Sequence, residues 1–112
     1  MSKHIVVNDE HIPVDKEGFL CALSDWSEAV ANELARRENI VLSDAHWEII
    51  VCLRKFYDEF ELSPAMRPFV KYIAQELGKD KGKSIYLMTL FPESPAKIAS
   101  KIAGLPKPTN CL

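Results

Sequence analysis

The sequence predicts an α+β fold: a small N-terminal β-meander packed on an array of about five helices, with a flexible C-terminal arm. Apolar and polar residues alternate through residues 3–20, a period of two that is typical of strands. From Asp25 onward the apolar residues recur at the spacing of a helix. Near the end of the chain, Pro106 and Pro108 cannot continue a helix, so the chain is expected to leave the folded part as a tail.

Three short apolar segments separated by turn residues predict the β-meander. They are Ile5-Val6-Val7, His11-Ile12-Pro13-Val14 and Phe19-Leu20. Residues 8–10 and 15–18 between them are of the types that form turns. Pro13 has no amide hydrogen to donate to a ladder, so its strand is expected at an edge, or with its nitrogen facing away from the neighbouring strand.

The first two helices are predicted from capping residues and apolar spacing. The first is expected after a cap at Ser24-Asp25, with its apolar face on Trp26, Ala29, Val30 and Leu34. The second is expected after Ser43 and forms the central core helix. Its apolar stripe consists of Trp47, Ile50, Val51, Tyr57 and Phe60, widened by Leu53 and Phe56.

Three further helices are expected before the arm. The third begins at Ser63-Pro64, a cap followed by proline at the first helical position, and stops at Gly78. Its apolar residues are Met66, Phe69, Val70, Ile73, Ala74 and Leu77. Pro68 lies one turn in and removes a donor, so a bend or a tight first turn is expected there. The fourth helix is expected around residues 84–90 and the fifth over residues 94–102, ending at Gly104.

Composition excludes several classes of protein. A chain of 112 residues, 47% hydrophobic and 27% charged, has ordinary globular composition and enough length for a single core. No apolar run approaches the roughly 20 residues that cross a bilayer, and residues 1–4 lack the apolar stretch of a signal peptide, so a cytoplasmic protein is expected. The three cysteines are widely spaced, and His4, His11 and His46 lack metal-ligand spacing, which argues against a disulfide framework and a zinc site.

Charge is divided unevenly along the chain. Residues 1–78 carry 8 basic and 14 acidic side chains, whereas residues 79–112 carry 6 basic and 2 acidic ones. A solvated surface explains a bias of this size, and an anionic partner, either RNA or an acidic protein face, is the alternative.

Cys111, next to last in the chain, is the candidate reactive residue. The two prolines and the single following residue argue against its packing in a core, although a terminal cysteine without function is the alternative. We expect a single domain over residues 1–104 and a mobile arm over residues 105–112 that carries this thiol. The seven residues from Gly104 to Cys111 reach roughly 20 to 25 Å at a polyproline-like rise. Such a thiol can accept a sulfur atom in one protein's pocket and release it in another's.

The charges near Cys111 indicate that it is not self-activated. The terminal carboxylate is one residue away, and a like charge at about 7 Å in water disfavours the thiolate by roughly 0.6 kcal/mol. Lys107 and Lys101 could offset this, but a partner's pocket is the stronger source of positive potential. Cys52 is expected to be a buried core residue, and Cys21 is expected to be packed as well.

Four cations at helical spacing, Arg54, Lys55, Arg67 and Lys71, are expected either to be simply exposed or to form a basic patch. Such a patch could receive the carboxylate of a folded-back arm.

The middle and the end of the chain resemble the DsrC/TusE family, the gamma component of dissimilatory sulfite reductase and its sulfur-relay relatives. The matching segments are His46-Trp47, Leu53-Arg54-Lys55-Phe56-Tyr57, Ser63-Pro64-Ala65-Met66-Arg67, Leu90-Phe91-Pro92, Pro95-Ala96-Lys97, and Lys101-Ile102-Ala103-Gly104-Leu105-Pro106-Lys107-Pro108 followed by Cys111. The resemblance implies the α+β fold with a flexible arm, Cys111 as the catalytic residue that carries sulfur as a persulfide, and no metal or organic cofactor.

One departure from the family pattern separates its branches. Members of sulfur respiration and oxidation carry a second arm cysteine eleven positions before the penultimate one, where this chain has Ser100. A hydroxyl cannot close a disulfide, which leaves one-thiol transfer. The resemblance therefore implies a sulfurtransferase of the relay branch, with a TusBCD-like donor complex and an MnmA-like tRNA 2-thiouridylase with its tRNA as partners. Glu93-Ser94 and Ile98 also depart from the pattern, which affects details of partner contact.

Two other functions remain open from the sequence. A DsrC-like binding subunit of a dissimilatory-type sulfite reductase is one, although the missing second arm thiol counts against it. A nucleic-acid-binding regulator is the other, because short helices and a basic end can mimic a helix-turn-helix module. The pI near 5.9 and the lack of a dense Lys/Arg face argue against this second function.

Overall fold

The computed structural model describes residues 3–109, and in that range the chain forms a β-hairpin followed by five helices. The elements are β1 (Lys3–Val7), β2 (Glu10–Val14), a 3₁₀ turn (Leu23–Asp25), α1 (Glu28–Arg37), α2 (Asp44–Phe60), α3 (Met66–Leu77), α4 (Ser84–Leu90) and α5 (Pro95–Ile102). The expected α+β architecture is confirmed. Within the described range no helix is long and apolar enough to cross a membrane.

The hairpin joins β1 and β2 antiparallel, with Ile5 opposite Ile12. Its two-residue turn places Asn8 and Asp9 at φ values of 51° and 67°, the left-handed region that such turns require and that these residue types tolerate. The Pro13 carbonyl accepts a hydrogen bond from the Cys21 amide at 3.2 Å, so the backbone polar groups of Pro13 face away from β1. This is one of the two arrangements predicted for a proline, which has no amide hydrogen to donate to the neighbouring strand.

The prediction of a third strand is wrong. Phe19-Leu20 contributes one isolated bridge, between Leu20 and Val14. The cause lies in the preceding turn, where one oxygen of Asp15 accepts hydrogen bonds from the Glu17 and Phe19 amides at 2.9 and 3.0 Å. Those bonds hold residues 15–19 in a local turn, so the following segment does not form a full strand ladder with β2.

Helix α1 begins later than the sequence predicts. Ser27 is its cap, with its hydroxyl accepting from the Val30 amide, whereas the expected cap Ser24-Asp25 belongs to the 3₁₀ turn. Trp26 is therefore not helical: it lies in extended backbone between the two elements. This displacement matters because it frees the indole to contact the other end of the chain.

Helix α2 starts after Ser43 as predicted, with a capping box in which the His46 ring accepts from the Ser43 amide. Part of the expected stripe is wrong, since Val51 is 62% exposed and Phe60 is exposed as well. The buried face of α2 consists instead of Ile49, Ile50, Cys52, Leu53 and Phe56.

Helix α3 begins at Met66, after the expected start at Ser63-Pro64. Pro68 is consequently the third helical residue. Its missing amide is one of those that have no intrahelical partner at a helix N-terminus, so the expected loss of a hydrogen bond does not arise.

Helices α4 and α5 match their predicted positions. Helix α5 packs against more helices than any other helix of the described chain. It packs against α1, α2, α3 and α4. Ala99, Ser100 and Ile102 are fully buried on it. The core thus converges on the helix from which the arm departs, rather than on α2.

Candidate functional site at the base of the arm

Trp26 and Arg54 hold the end of α5. The Trp26 indole Nε1–H donates to the Ile102 carbonyl at 2.9 Å, and Arg54 Nη1 donates to the Ala103 carbonyl at 2.6 Å. The Arg54 guanidinium also stacks on the indole, with its carbon 3.8 Å from the ring centroid. Carbonyls at a helix C-terminus lack intrahelical partners and favour a cation, so both side chains satisfy a need of the helix. Burial lowers the pKa of Arg54 from its ordinary value, yet a guanidinium in this setting stays charged at neutral pH.

A Schellman turn directs the chain from α5 into the arm. The Gly104 amide donates to the Lys101 carbonyl and the Leu105 amide to the Ser100 carbonyl, each at 3.0 Å. Gly104 has φ +75°, and a Cβ there would lie 2.2 Å from Cδ1 of Trp26. Only glycine fits this position, both for its backbone conformation and for its contact with the indole. Leu105, 3% exposed, then anchors the turn in the core.

Two side chains from distant elements hold the next residues of the arm. The Ser63 hydroxyl donates to the Pro106 carbonyl at 2.5 Å. Lys107 Nζ lies 2.9 Å from one oxygen of Glu17, whose other oxygen lies 3.1 Å from Lys97. Lys107 and Lys97 lower the pKa of the Glu17 carboxyl below its ordinary value. The described start of the arm therefore lies against the domain.

Lys101, one of the two cations that could offset the terminal carboxylate, is engaged by the domain. Lys101 is a buried residue of α5, and its Nζ lies 2.8 Å from a carboxylate oxygen of Glu38. Since the ammonium group is engaged inside the domain, it belongs to the packing of α5 against α1.

The cysteines occupy three different situations. Cys111, the predicted persulfide carrier, lies outside residues 3–109 that the structure describes. Cys52 is buried as predicted, and desolvation together with the nearby Glu76 carboxylate raises the pKa of its thiol. Cys21 is exposed, so the expectation that it is packed is wrong: the chain turns to the surface after Leu20. In the described part of the chain no three His, Cys, Asp or Glu side chains are grouped as a metal site would require.

Ser100, at the position that separates the family branches, is fully buried, and its hydroxyl has no hydrogen-bond partner among the described residues. Its carbonyl receives the Leu105 amide in the turn described above. The side chain is packed inside the end of α5.

The four cations predicted as a possible patch are separated by the fold. Arg54 is stacked on Trp26, and Lys55 pairs with Glu76 at 2.5 Å. Arg67 and Lys71 instead line a groove of about 540 Å³ on the other side of α3. The prediction of a single basic patch of four residues is therefore wrong, although Arg67 and Lys71 form a smaller basic surface.

Sequence reasoning missed the residues that hold the arm. Trp26 was expected in α1, Ser63 was expected only as a helix cap, and Glu17 was expected only in a turn. Their arm contacts link positions 76, 43 and 90 residues apart, and no local pattern encodes them.

Residues 6–112 match the family model described as DsrC like protein. The Sulfurtransferase TusE of Sodalis glossinidius is 56% identical over 105 residues, covering 94% of this chain and 97% of that protein. The Sulfurtransferase TusE of Buchnera aphidicola subsp. Acyrthosiphon pisum is 51% identical over 108 residues, covering 96% and 95%.

Solved structures give the same family. The NMR structure of Allochromatium vinosum DsrC superposes with a TM-score of 0.90 at 46% identity, covering 100% of both chains. The crystal structure of the oxidized gamma-subunit of dissimilatory sulfite reductase from Archaeoglobus fulgidus gives a TM-score of 0.85 at 36% identity, covering 98% of this chain and 100% of that one. Because the match extends over nearly the whole chain in sequence and in structure, the chain belongs to the family of DsrC-like proteins.

Proposed function

We propose that this chain is a sulfurtransferase of the relay type, which accepts a sulfane sulfur as a persulfide on Cys111 and delivers it to a tRNA 2-thiouridylase for thiolation of the wobble uridine. The observation that carries this conclusion is the identity, 56% and 51% over almost the full length, to proteins named Sulfurtransferase TusE. The thiol is placed next to last in the sequence, after a segment whose start is held at a defined exit from the domain.

The transfer step exchanges one sulfur–sulfur bond for another. The Cys111 thiolate attacks the outer sulfur of a donor persulfide, a new S–S bond forms on Cys111, and the donor's S–S bond breaks. The donor cysteine leaves as a thiolate and takes up the proton that Cys111 lost. The same exchange, with Cys111 as the leaving thiolate, delivers the sulfur to the acceptor. No external oxidant or reductant is consumed in either transfer.

The partner, rather than this chain, activates the thiol. The nearest described cation of the arm, Lys107, lies against the Glu17 carboxylate, and Lys101 is engaged with Glu38. The terminal carboxylate meanwhile disfavours the thiolate. A carrier of this kind reacts slowly in free solution and faster in a pocket with positive potential, which favours transfer with the correct partners.

The domain over residues 1–104 presents the arm over residues 105–112, whose start is held against the domain and whose end carries the transferred sulfur on Cys111. The donor is a TusBCD-like complex, the acceptor is an MnmA-like thiouridylase with its tRNA bound, and the relay operates in the cytoplasm. No metal or organic cofactor takes part on this chain.

Intact mass spectrometry after incubation with a small persulfide donor, glutathione persulfide, tests the proposal. The expected result is a gain of one sulfur atom in Cys21→Ser, which keeps Cys111, and no gain in the double variant Cys21→Ser/Cys111→Ser. Cys21 is removed in both chains because it is exposed and would itself exchange with a small donor. Retained loading of the double variant, or no loading of Cys21→Ser, would refute the role of Cys111.

A second function, a DsrC-like binding subunit of dissimilatory sulfite reductase, is favoured by the superposition on the Archaeoglobus fulgidus gamma-subunit. The hydroxyl of Ser100 argues against it, because this position then lacks the second arm thiol that the family resemblance assigns to that branch. Pull-down of a sirohaem enzyme, with none of a thiouridylase, would favour this second function.

A further inference from the structure

A continuous basic and apolar surface lies beside the base of the arm. One groove, about 540 Å³, is lined on α3 by Met66, Arg67, Val70 and Lys71 and on α4 by Ser84. Ser84 also lines a second depression of about 310 Å³ on α4, together with Ile85 and Met88. Because the two share Ser84, they form one surface, here called the α3–α4 surface and defined by Met66, Arg67, Val70, Lys71, Ile85 and Met88.

The arm leaves the domain next to this surface. Ala65 lines the α3 groove, and Ser63, two residues earlier in the chain, donates its hydroxyl hydrogen bond to the Pro106 carbonyl. A protein seated on the α3–α4 surface would therefore meet the arm at its root. Cys111 follows Pro106 by only five positions, a reach of roughly 15 Å at a polyproline-like rise.

The apolar side chains of the surface are strongly exposed to solvent. Ile85 is 82% exposed and Met88 is 43% exposed. Residues three apart on a helix are neighbours, so these two form a joint patch rather than scattered single residues. Methionine adapts its shape to different partner surfaces, which suits a contact that forms and dissolves in each cycle.

The charged part of the surface lacks compensation within the described chain. Over residues 3–109 no carboxylate lies within ion-pair distance of Arg67 or Lys71, whereas Lys55 of the neighbouring helix pairs with Glu76. Two such cations beside an apolar patch are complementary to carboxylates that surround an apolar side chain.

We propose that the α3–α4 surface docks the persulfide donor, a protein that presents carboxylates around an apolar side chain next to its sulfur-bearing cleft. This inference rests on the proposed function. The donor fits better than the acceptor, because an enzyme that binds tRNA must present a positive surface around its site, and two positive surfaces repel. Direct docking of RNA is less favoured, since the exposed patch consists of Ile85 and Met88, while RNA-binding surfaces use aromatic rings for stacking.

The experiment compares a double variant, Arg67→Glu/Ile85→Ser, with two control variants. Val51→Ser removes an apolar side chain of α2 that is 62% exposed, and Lys79→Glu reverses an exposed charge that lines neither depression. Each chain is loaded separately by the persulfide-charged TusBCD-like donor complex and by glutathione persulfide, and loaded chains are then offered to the thiouridylase with tRNA. Circular dichroism confirms that each variant is folded.

The expected result is a fall of about tenfold or more in kcat/KM for transfer from the donor complex in the double variant, as for loss of central interface contacts. Loading by glutathione persulfide and delivery to the thiouridylase are expected to stay within about twofold, because neither step uses this contact. Binding of the native chain to the donor should weaken as salt rises, and this dependence should decline in the double variant.

Three outcomes would overturn the assignment. Transfer from the donor complex at the native rate in the double variant would show that the surface is not used. Loss of delivery to the thiouridylase, with transfer from the donor retained, would show that the surface binds the acceptor or its RNA. Absence of sulfur on Cys111 after incubation with glutathione persulfide would instead refute the proposed function itself, and the docking assignment with it.

Discussion

Replacement of Gly104 by alanine should loosen the base of the arm and destabilise the domain. The added Cβ would lie 2.2 Å from Cδ1 of Trp26, and the residue would keep a φ of +75°. The indole cannot yield without cost, because its nitrogen donates to Ile102 and its face carries Arg54. The substitution therefore strains the backbone and displaces a side chain that caps α5.

The size of the effect follows from these contacts. A left-handed conformation costs a non-glycine residue about 1 to 2 kcal/mol. Displacing Trp26 adds the loss of one hydrogen bond, about 0.5 to 1.5 kcal/mol, and of one cation–π contact, about 0.5 to 1 kcal/mol. Reduced entropy of the unfolded chain returns about 0.4 to 1 kcal/mol. The net loss is about 1 to 4 kcal/mol, and its central value of about 2.5 kcal/mol lowers Tm by about 10 °C for a domain of this size.

Urea unfolding followed by circular dichroism measures this loss, and Gly18→Ala is its matched control. Gly18 also has a positive φ, +93°, but a Cβ there would meet the Lys101 side chain at 3.7 Å, an ordinary contact. Gly18→Ala should therefore show the backbone strain alone, about 1 kcal/mol. Equal losses in the two variants would refute the argument, because the collision with Trp26 would then have no energetic consequence.

Ser63→Ala removes the hydrogen bond to Pro106 and should lower the free energy of urea unfolding by about 0.5 to 1.5 kcal/mol, and an unchanged midpoint would contradict the anchoring of the arm at this residue. The Glu33 carboxyl has its pKa lowered from 4.5 to about 2 by Arg36 and Arg37, so its stabilising contribution is complete above pH 4.5 and is lost as pH falls toward 2. Denaturation midpoints of Glu33→Gln should accordingly vary less over that range than those of the native chain; parallel curves would argue against the ion pairs. Iodoacetamide should modify Cys21 in the native protein but reach Cys52 only on unfolding, because Cys52 is buried and burial raises the pKa of its thiol; peptide mapping that finds Cys52 modified first would contradict this.

Local signals were sufficient where a single residue type decides a conformation. The turn between β1 and β2 and the Ser43 cap of α2 each depend on neighbouring residues, and each was predicted correctly. Prediction failed where two local solutions compete. Ser24 and Ser27 are both acceptable caps, and only the packing of Trp26 against the end of α5 selects the second.

Surface and core were also hard to separate by periodicity alone. Val51 and Phe60 have the spacing of the predicted α2 stripe but are exposed, because the direction of the buried face depends on where the other helices lie. Cys21 was expected to be packed because it follows an apolar pair, yet the turn toward the 3₁₀ segment exposes it.

By itself the sequence determined the α+β class, the family, the tail with its penultimate cysteine and the replacement of a second thiol by Ser100, because these depend on residue identity and local pattern. The tertiary structure alone decided how the arm begins. Trp26, Arg54, Ser63 and Glu17 come from four separate parts of the chain and meet at residues 102–107. Hydrogen bonds and ion pairs between such distant residues depend on the packing of α5 among its neighbours, and a one-dimensional pattern does not contain that information.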